Sequence, residues 1–169
     1  MKSWLIIIVA AMLIISGCEY QEPLAEKQNL PIDESLVGQW NALPDSNDTS
    51  PVQDRIIVLK LSGTEYLVHY YTGSGSMYFR AYPLKVGNIE CLQLQLLGYQ
   101  DGRLARNDAP FQVAKYTVSG DIVEIRMMNT SVISPKLAGN DEIREAFIKN
   151  QANDKLFREP GKFRRAKKS

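Results

Sequence analysis

Histidine and cysteine are almost missing: one histidine, His69, and two cysteines, Cys18 and Cys91, in 169 residues. A zinc site of the common Cys/His type draws about four ligands mostly from these residue types, so three such residues leave no ordinary set. Any Ser-His-Asp or Cys-His mechanism would have to use His69, and no positioned nucleophile accompanies it. An excess of one charge is lacking too. Twenty Lys+Arg stand against 19 Asp+Glu, a net charge of +1, which gives no bulk field to collect nucleic acid. The longest apolar run, Trp4 to Ile15, has 12 residues. A spanning helix needs about 20. No internal repeat of 20 to 50 residues is found. What is present is 44% hydrophobic and 23% charged content, the balance of a globular protein.

The apolar run follows Met1-Lys2-Ser3, a short positive start, and closes with Ile14-Ile15-Ser16-Gly17-Cys18. Charge, apolar length, small residues and cysteine fall in the order of an export leader. Ile15, Ser16, Gly17 and Cys18 resemble the lipobox of bacterial lipoproteins. That resemblance implies cleavage between Gly17 and Cys18, a diacylglycerol on the Cys18 thiol, and an acyl chain on its amine. No other cofactor is expected. Several acyl chains hold a protein on a membrane where one would not. The implied location is the bacterial cell envelope, with Glu19 favouring the outer membrane where the cell has one.

After a leader at 1–17, residues 18–35 are polar and carry Pro23 and Pro31, so they read as a flexible tether bearing the lipidated Cys18. One domain is expected over 36–166, and 167–169 form a basic tail. Residues 19–54 sum to −7 and residues 155–169 to +6; the basic end is expected to be a solvated, frayed terminus, with contact to anionic lipid or lipopolysaccharide phosphate as the alternative.

Short apolar runs punctuated by glycine turns predict an all-β fold, an antiparallel up-and-down meander with one C-terminal helix at about 141–151. Mirroring strands about Gly63 puts Ile57, Leu59 and Leu61 on one face with Leu67, His69 and Tyr71. Mirroring about Ser74 carries that face to Ala81, Phe79 and Met77. A two-residue turn at Gly87-Asn88 pairs Phe79, Ala81 and Pro83 with Leu96, Leu94 and Leu92, and one at Gly120-Asp121 pairs Ala114, Tyr116 and Val118 with Met127, Ile125 and Val123. The helix presents Ile143, Ala146 and Phe147 as an apolar stripe.

Gly38-Gln39-Trp40 opens the β region and is similar to the GxW signature of lipocalins and other calycin barrels. The order of a GxW strand, a meander, a helix and a last arginine-bearing strand resembles that family over roughly residues 36 to 166. The resemblance implies a lipocalin-like barrel, or a half-barrel, with Arg164 or Arg165 over Trp40 at its end. It also implies a small hydrophobic ligand inside.

Two sets of residues follow from these registers. His69, Tyr71, Phe79 and Tyr116 would line a ligand cavity, with His69 as either a ligand contact or a locally bonded structural histidine. Tyr66, Tyr70, Tyr78, Arg80 and Tyr82 would form an outward aromatic-arginine face, either a protein-partner surface or a second core beneath the helix. No catalytic set stands out, since no spacing singles out a pair among Asp101, Asp108, Asp121 and Glu124. Gly73-Ser74-Gly75-Ser76 lacks the lysine and the strand-to-helix context of a phosphate loop. The expected protein is therefore a membrane-anchored, non-enzymatic envelope lipoprotein whose β domain binds a protein or serves envelope structure. A carrier of a small hydrophobic ligand is the alternative, and a carboxylate hydrolase stands behind both. A cavity under about 300 Å³ would count against a carrier.

Overall fold

Tight turns set the strand order. The computed structural model describes residues 20–25, 30–44, 54–105, 110–137 and 139–167. Among them are β1 (Gly38–Ala42), β2 (Arg55–Lys60), β3 (Tyr66–Thr72), β4 (Gly75–Val86), β5 (Ile89–Tyr99), β6 (Phe111–Ser119), β7 (Ile122–Met127), α1 (Asn140–Lys149) and β8 (Gly161–Arg165). Each strand pairs antiparallel with the next, and β8 returns to β1, with Trp40 opposite Arg165 and Ala42 opposite Phe163. The sheet is a closed barrel of these strands, all-β with one helix, which is a lipocalin-like architecture. Closure leaves no strand edge unpaired along the sheet.

The registers at Gly87-Asn88 and Gly120-Asp121 are those read from the sequence, with Ala81 opposite Leu94 and Tyr116 opposite Ile125. Both glycines have φ near +60°, which side chains rarely tolerate and these hairpin turns require. The β3–β4 register differs by one residue. Thr72 faces Gly75, so Gly73 and Ser74 are the two turn residues, and Phe79 sits opposite Val68 where centring on Ser74 had put it opposite His69. The Thr72 hydroxyl holds the turn, donating to Gly75 O at 3.1 Å.

A slip of one residue sends every side chain to the other face. The pairing of β2 with β3 is as expected, Ile57 opposite His69, but the inward set is Ile56, Val58, Tyr66, Val68 and Tyr70, joined to Phe79, Ala81, Leu92 and Phe163 in one core inside the barrel. Leu59 and Leu61 are exposed, and His69 and Tyr71 face outward.

A second core lies outside the barrel. Tyr82, Leu84, Val86, Cys91 and Val113 alternate with the inward residues of their strands and are covered by Ile143 and Phe147 of α1 together with Ile133 and Leu156. Ten helical residues suffice for this because Ile143 and Phe147 lie one turn apart on one face. Cys91 is buried here, and burial pushes its thiol up to about 12. It is expected to resist alkylation at pH about 8 until the protein unfolds, checked by thiol titration with and without denaturant.

The tether expectation for 18–35 is corrected where the structure describes those residues. Tyr20 and Leu24 are buried in the outer core. Tyr20 exchanges backbone hydrogen bonds with Phe111 at 2.8 and 2.7 Å, and its hydroxyl donates to Ile133 O at 2.8 Å. Gln93, fully buried on the outer face of β5, accepts from Leu24 N at 2.6 Å and Ala25 N at 3.2 Å, while its amide donates to Ala25 O at 3.3 Å and to the Tyr82 hydroxyl. Residues 20–25 are therefore a strap on the barrel wall. Cys18, Gly17 and the leader lie outside the described residues, and among the described ones no helix is long and apolar enough to cross a membrane.

Candidate functional site

One end of the barrel is closed by the segment before β1. A 3-10 turn, Glu34–Leu36, drops Leu36 onto the interior, and the Leu36 carbonyl accepts the Trp40 indole N–H at 2.9 Å. The Arg165 guanidinium lies 4.0 Å from the Trp40 ring centre, donating to Val37 O at 2.8 Å and to Ser35 O. Arg164 points elsewhere and pairs with Asp121 at 3.3 Å. Gly38 has φ +141°, and a Cβ there would stand 2.6 Å from Arg165 Nη1. A glycine lets the guanidinium pass.

Asp33 ties this cap to the strands. Its backbone N donates to the Tyr66 hydroxyl at 2.6 Å, that hydroxyl reaches Asp33 O at 3.1 Å, and the Tyr116 hydroxyl donates to Asp33 Oδ2 at 3.2 Å. Burial raises both phenols above their ordinary value, with the Asp33 charge adding to it. Asp33 itself is opposed by burial, yet hydrogen bonds from Ser35 and Tyr116 hold its carboxyl below the usual range. A depressed folded pKa means stability present above the unfolded value and lost as pH falls through the folded one. Asp33→Asn is therefore expected to cost stability at neutral pH and less in acid, as read by urea unfolding at pH about 7 and about 3.

Beyond this cap is an apolar cavity of about 80 Å³. Leu36 and Tyr116 stand at its capped side; Val68, Phe79, Leu92 and Ala114 are among its walls. Phe79 and Tyr116 thus line the interior as expected. His69 and Tyr71 do not. The His69 ring stacks on Tyr78 at 4.6 Å on the outer surface, and Arg55 covers Tyr71 at 4.5 Å. The one-residue turn shift explains the exchange. Burial and the Arg55 charge lower the His69 pKa, so it favours the neutral ring.

The cavity holds a residue that sequence reasoning missed. Gln112, 5% exposed, faces the cavity from β6 opposite Leu94. Its amide shows no hydrogen bond among the described residues, whereas the Tyr70 hydroxyl, on another residue lining the cavity, is engaged by Asp54 at 2.8 Å. The signal that could have found it is the two-residue alternation of β6, which puts Gln112 on the same face as Ala114 and Tyr116.

The outward aromatic-arginine face is dispersed by the same shift. Tyr66 and Tyr70 are inside, Tyr82 lies under the strap with its hydroxyl donating to Ala25 O at 2.9 Å, and only Tyr78 and Arg80 remain at the surface. Arg80 is paired with Glu65, which is almost wholly buried. Arg80→Ala would strand that carboxylate and is expected to cost about 1–3 kcal/mol in chemical unfolding, discounted because the arginine is partly exposed.

A closed antiparallel barrel with a plugged end, an apolar interior and an outer helix defines the class of this domain by its fold. No family model, curated protein or solved structure matches the chain.

Proposed function

We propose that this protein is an acylated envelope lipoprotein whose barrel takes a slender apolar ligand carrying one hydrogen-bonding group. The observation that carries the reading is the Gln112 amide, which opens onto an otherwise apolar cavity and has no protein partner among the described residues. A polar group that opens onto an apolar cavity orients what enters it, so the site favours a ligand that offers the amide a hydrogen bond, or a water that does. At about 80 Å³ the space falls short of the roughly 300–1,000 Å³ that encloses drug-sized ligands. By that measure, this counts against a lipocalin-like carrier that encloses its ligand, and what remains is room for a segment of one alkyl chain or a small ring. The anchoring half of the reading is supported by Ile15-Ser16-Gly17-Cys18, which resembles a lipobox, and the arrangement of Trp40 under Arg165 supports likeness to lipocalins. Nothing in this reading calls for turnover.

Native mass spectrometry of the full-length protein, extracted in mild detergent, is expected to show a retained small molecule. Ala114→Leu, which grows into the cavity, is expected to abolish retention. Gln112→Leu is expected to weaken binding of a fluorescent fatty acid about tenfold, the worth of one hydrogen bond. Absence of both an adduct and saturable probe binding would remove the ligand reading.

A second reading, a protein partner on the outer face of β2 to β4, is supported by the His69–Tyr78 stack beside exposed Leu59 and Leu61. A photo-crosslinker at position 78, read in intact cells, tests it. Nucleic acid is not among the partners proposed.

A further inference from the structure

The strap fixes where the anchor leaves the barrel. Tyr20 is bonded to Phe111 through both backbone groups and buried to 1% exposure. Cys18 is two residues earlier in the chain, so its Cα is at most about 7 Å from that of Tyr20 whatever path the chain takes. The C-terminal end of β6 is at the Trp40–Arg165 cap, where Ser119 pairs with Ile122 and Arg165 N donates to Asp121 O, so Phe111, which begins β6, is at the opposite end of the barrel.

The same end carries a projecting apolar hairpin. Phe111 pairs with Gln95, and the chain between β5 and β6 folds back so that Leu104 bridges Gly98 and Ala105 N donates to Leu97 O at 2.8 Å. Gly98 is three positions past Gln95, which sets Leu104 about 10 Å beyond Phe111 along the strand direction. Gly98 permits the fold-back, since a Cβ there would meet Arg103 O at 2.6 Å. Leu104 is 84% exposed, the most exposed large hydrophobic residue described, and Leu97 and Tyr99 beside it are more than one-third exposed. The Arg103 guanidinium covers Tyr99 at 5.1 Å and is neutralised by Asp101 at 2.6 Å. Aliphatic tips flanked by tyrosine and arginine suit the boundary between acyl chains and headgroups.

We infer that the barrel end bearing Leu97, Tyr99 and Leu104 docks on the bilayer that holds the Cys18 acyl chains, so that the domain sits on the lipid in one orientation. The inference rests on the acylation in the proposed function. Tyr20 supplies the constraint, because a chain pinned there has too little slack to lift this end away. The occupant is a lipid surface, and the cap at Trp40 faces away from it.

The test uses the full-length lipoprotein, extracted from membranes and reconstituted into phosphatidylethanolamine/phosphatidylglycerol vesicles containing bromine-labelled acyl chains. A thiol-reactive fluorophore is attached through Leu104→Cys or, at the capped end, Leu61→Cys; both sites are exposed, and buried Cys91 does not compete for label. Quenching at position 104 is expected to exceed that at position 61 by about threefold or more, as for an interfacial against an aqueous site. Intact mass of the same sample is expected to show the acyl chains. Equal quenching at the two sites in acylated protein overturns the docking and leaves the anchor standing. A mass without acyl chains overturns the anchor, and the docking with it.

Discussion

Trp40→Ala is expected to destabilise the barrel by about 3–5 kcal/mol, the usual cost of deleting a large aromatic side chain from a core. Trp40 is 1% exposed and sits where three supports meet: the Leu36 carbonyl, the Arg165 guanidinium and the inward side chains of the barrel core. Its loss opens a hole and also removes the surface on which Arg165 rests, a cation–π contact of about 0.5–2 kcal/mol. Arg165→Lys keeps the charge but gives up the planar fork that reaches Val37 O and Ser35 O, so an intermediate loss is expected. Urea midpoints of the two variants against the parent decide the matter. A Trp40→Ala protein within about 1 kcal/mol of the parent would show that the cap is not a keystone of the fold.

Gln93→Leu is expected to release the strap. The substitution preserves bulk but leaves Leu24 N and Ala25 N without their acceptor and takes from Ala25 O one of its two donors, the Tyr82 hydroxyl being the other, at about 1–3 kcal/mol for each group left unpaired and not re-solvated. Because residues 20–25 can detach and recover water, the expected outcome is local opening rather than global unfolding. Limited proteolysis should then cut near Ala25 at least about tenfold faster, while the thermal midpoint moves by only a few degrees. An unchanged cleavage rate would mean that Tyr20 alone holds the segment.

The β6–β7 hairpin was legible in the sequence because Gly120-Asp121 offers one turn centre and Lys115, Thr117, Glu124 and Arg126 mark the wet face. The β3 register was not, for two reasons acting together. Gly73-Ser74-Gly75 allows a centre on Ser74 or between Gly73 and Ser74, and β3 is apolar on both faces, Tyr66-Val68-Tyr70 against Leu67-His69-Tyr71. Hydrophobic pattern therefore could not arbitrate. Tertiary context did: the inner set contributes Val68 to a layer with Ile56, Val58 and Phe79, while His69 and Tyr71 find Tyr78 and Arg55 outside. That single ambiguity exchanged the proposed cavity and partner residues, so Phe79 and Tyr116 were placed correctly and His69, Tyr66 and Tyr70 were not. The strap escaped notice because Tyr20 and Leu24 are too sparse among polar neighbours to show a period. Their burial depends on Gln93, nearly seventy positions away, and no local pattern reports such a partner.

The pairing of β1 with β8 has a consequence for biosynthesis. The first strand has its two neighbours only once residues 161–165 have been made, so every nascent or truncated chain lacking them presents two open rims, on β1 and on the last strand made, which is β7 when β8 alone is missing. Vectorial synthesis thus holds the barrel ajar until its final strand emerges, and a premature stop anywhere upstream yields a species that proteases can recognise by its unzipped seam.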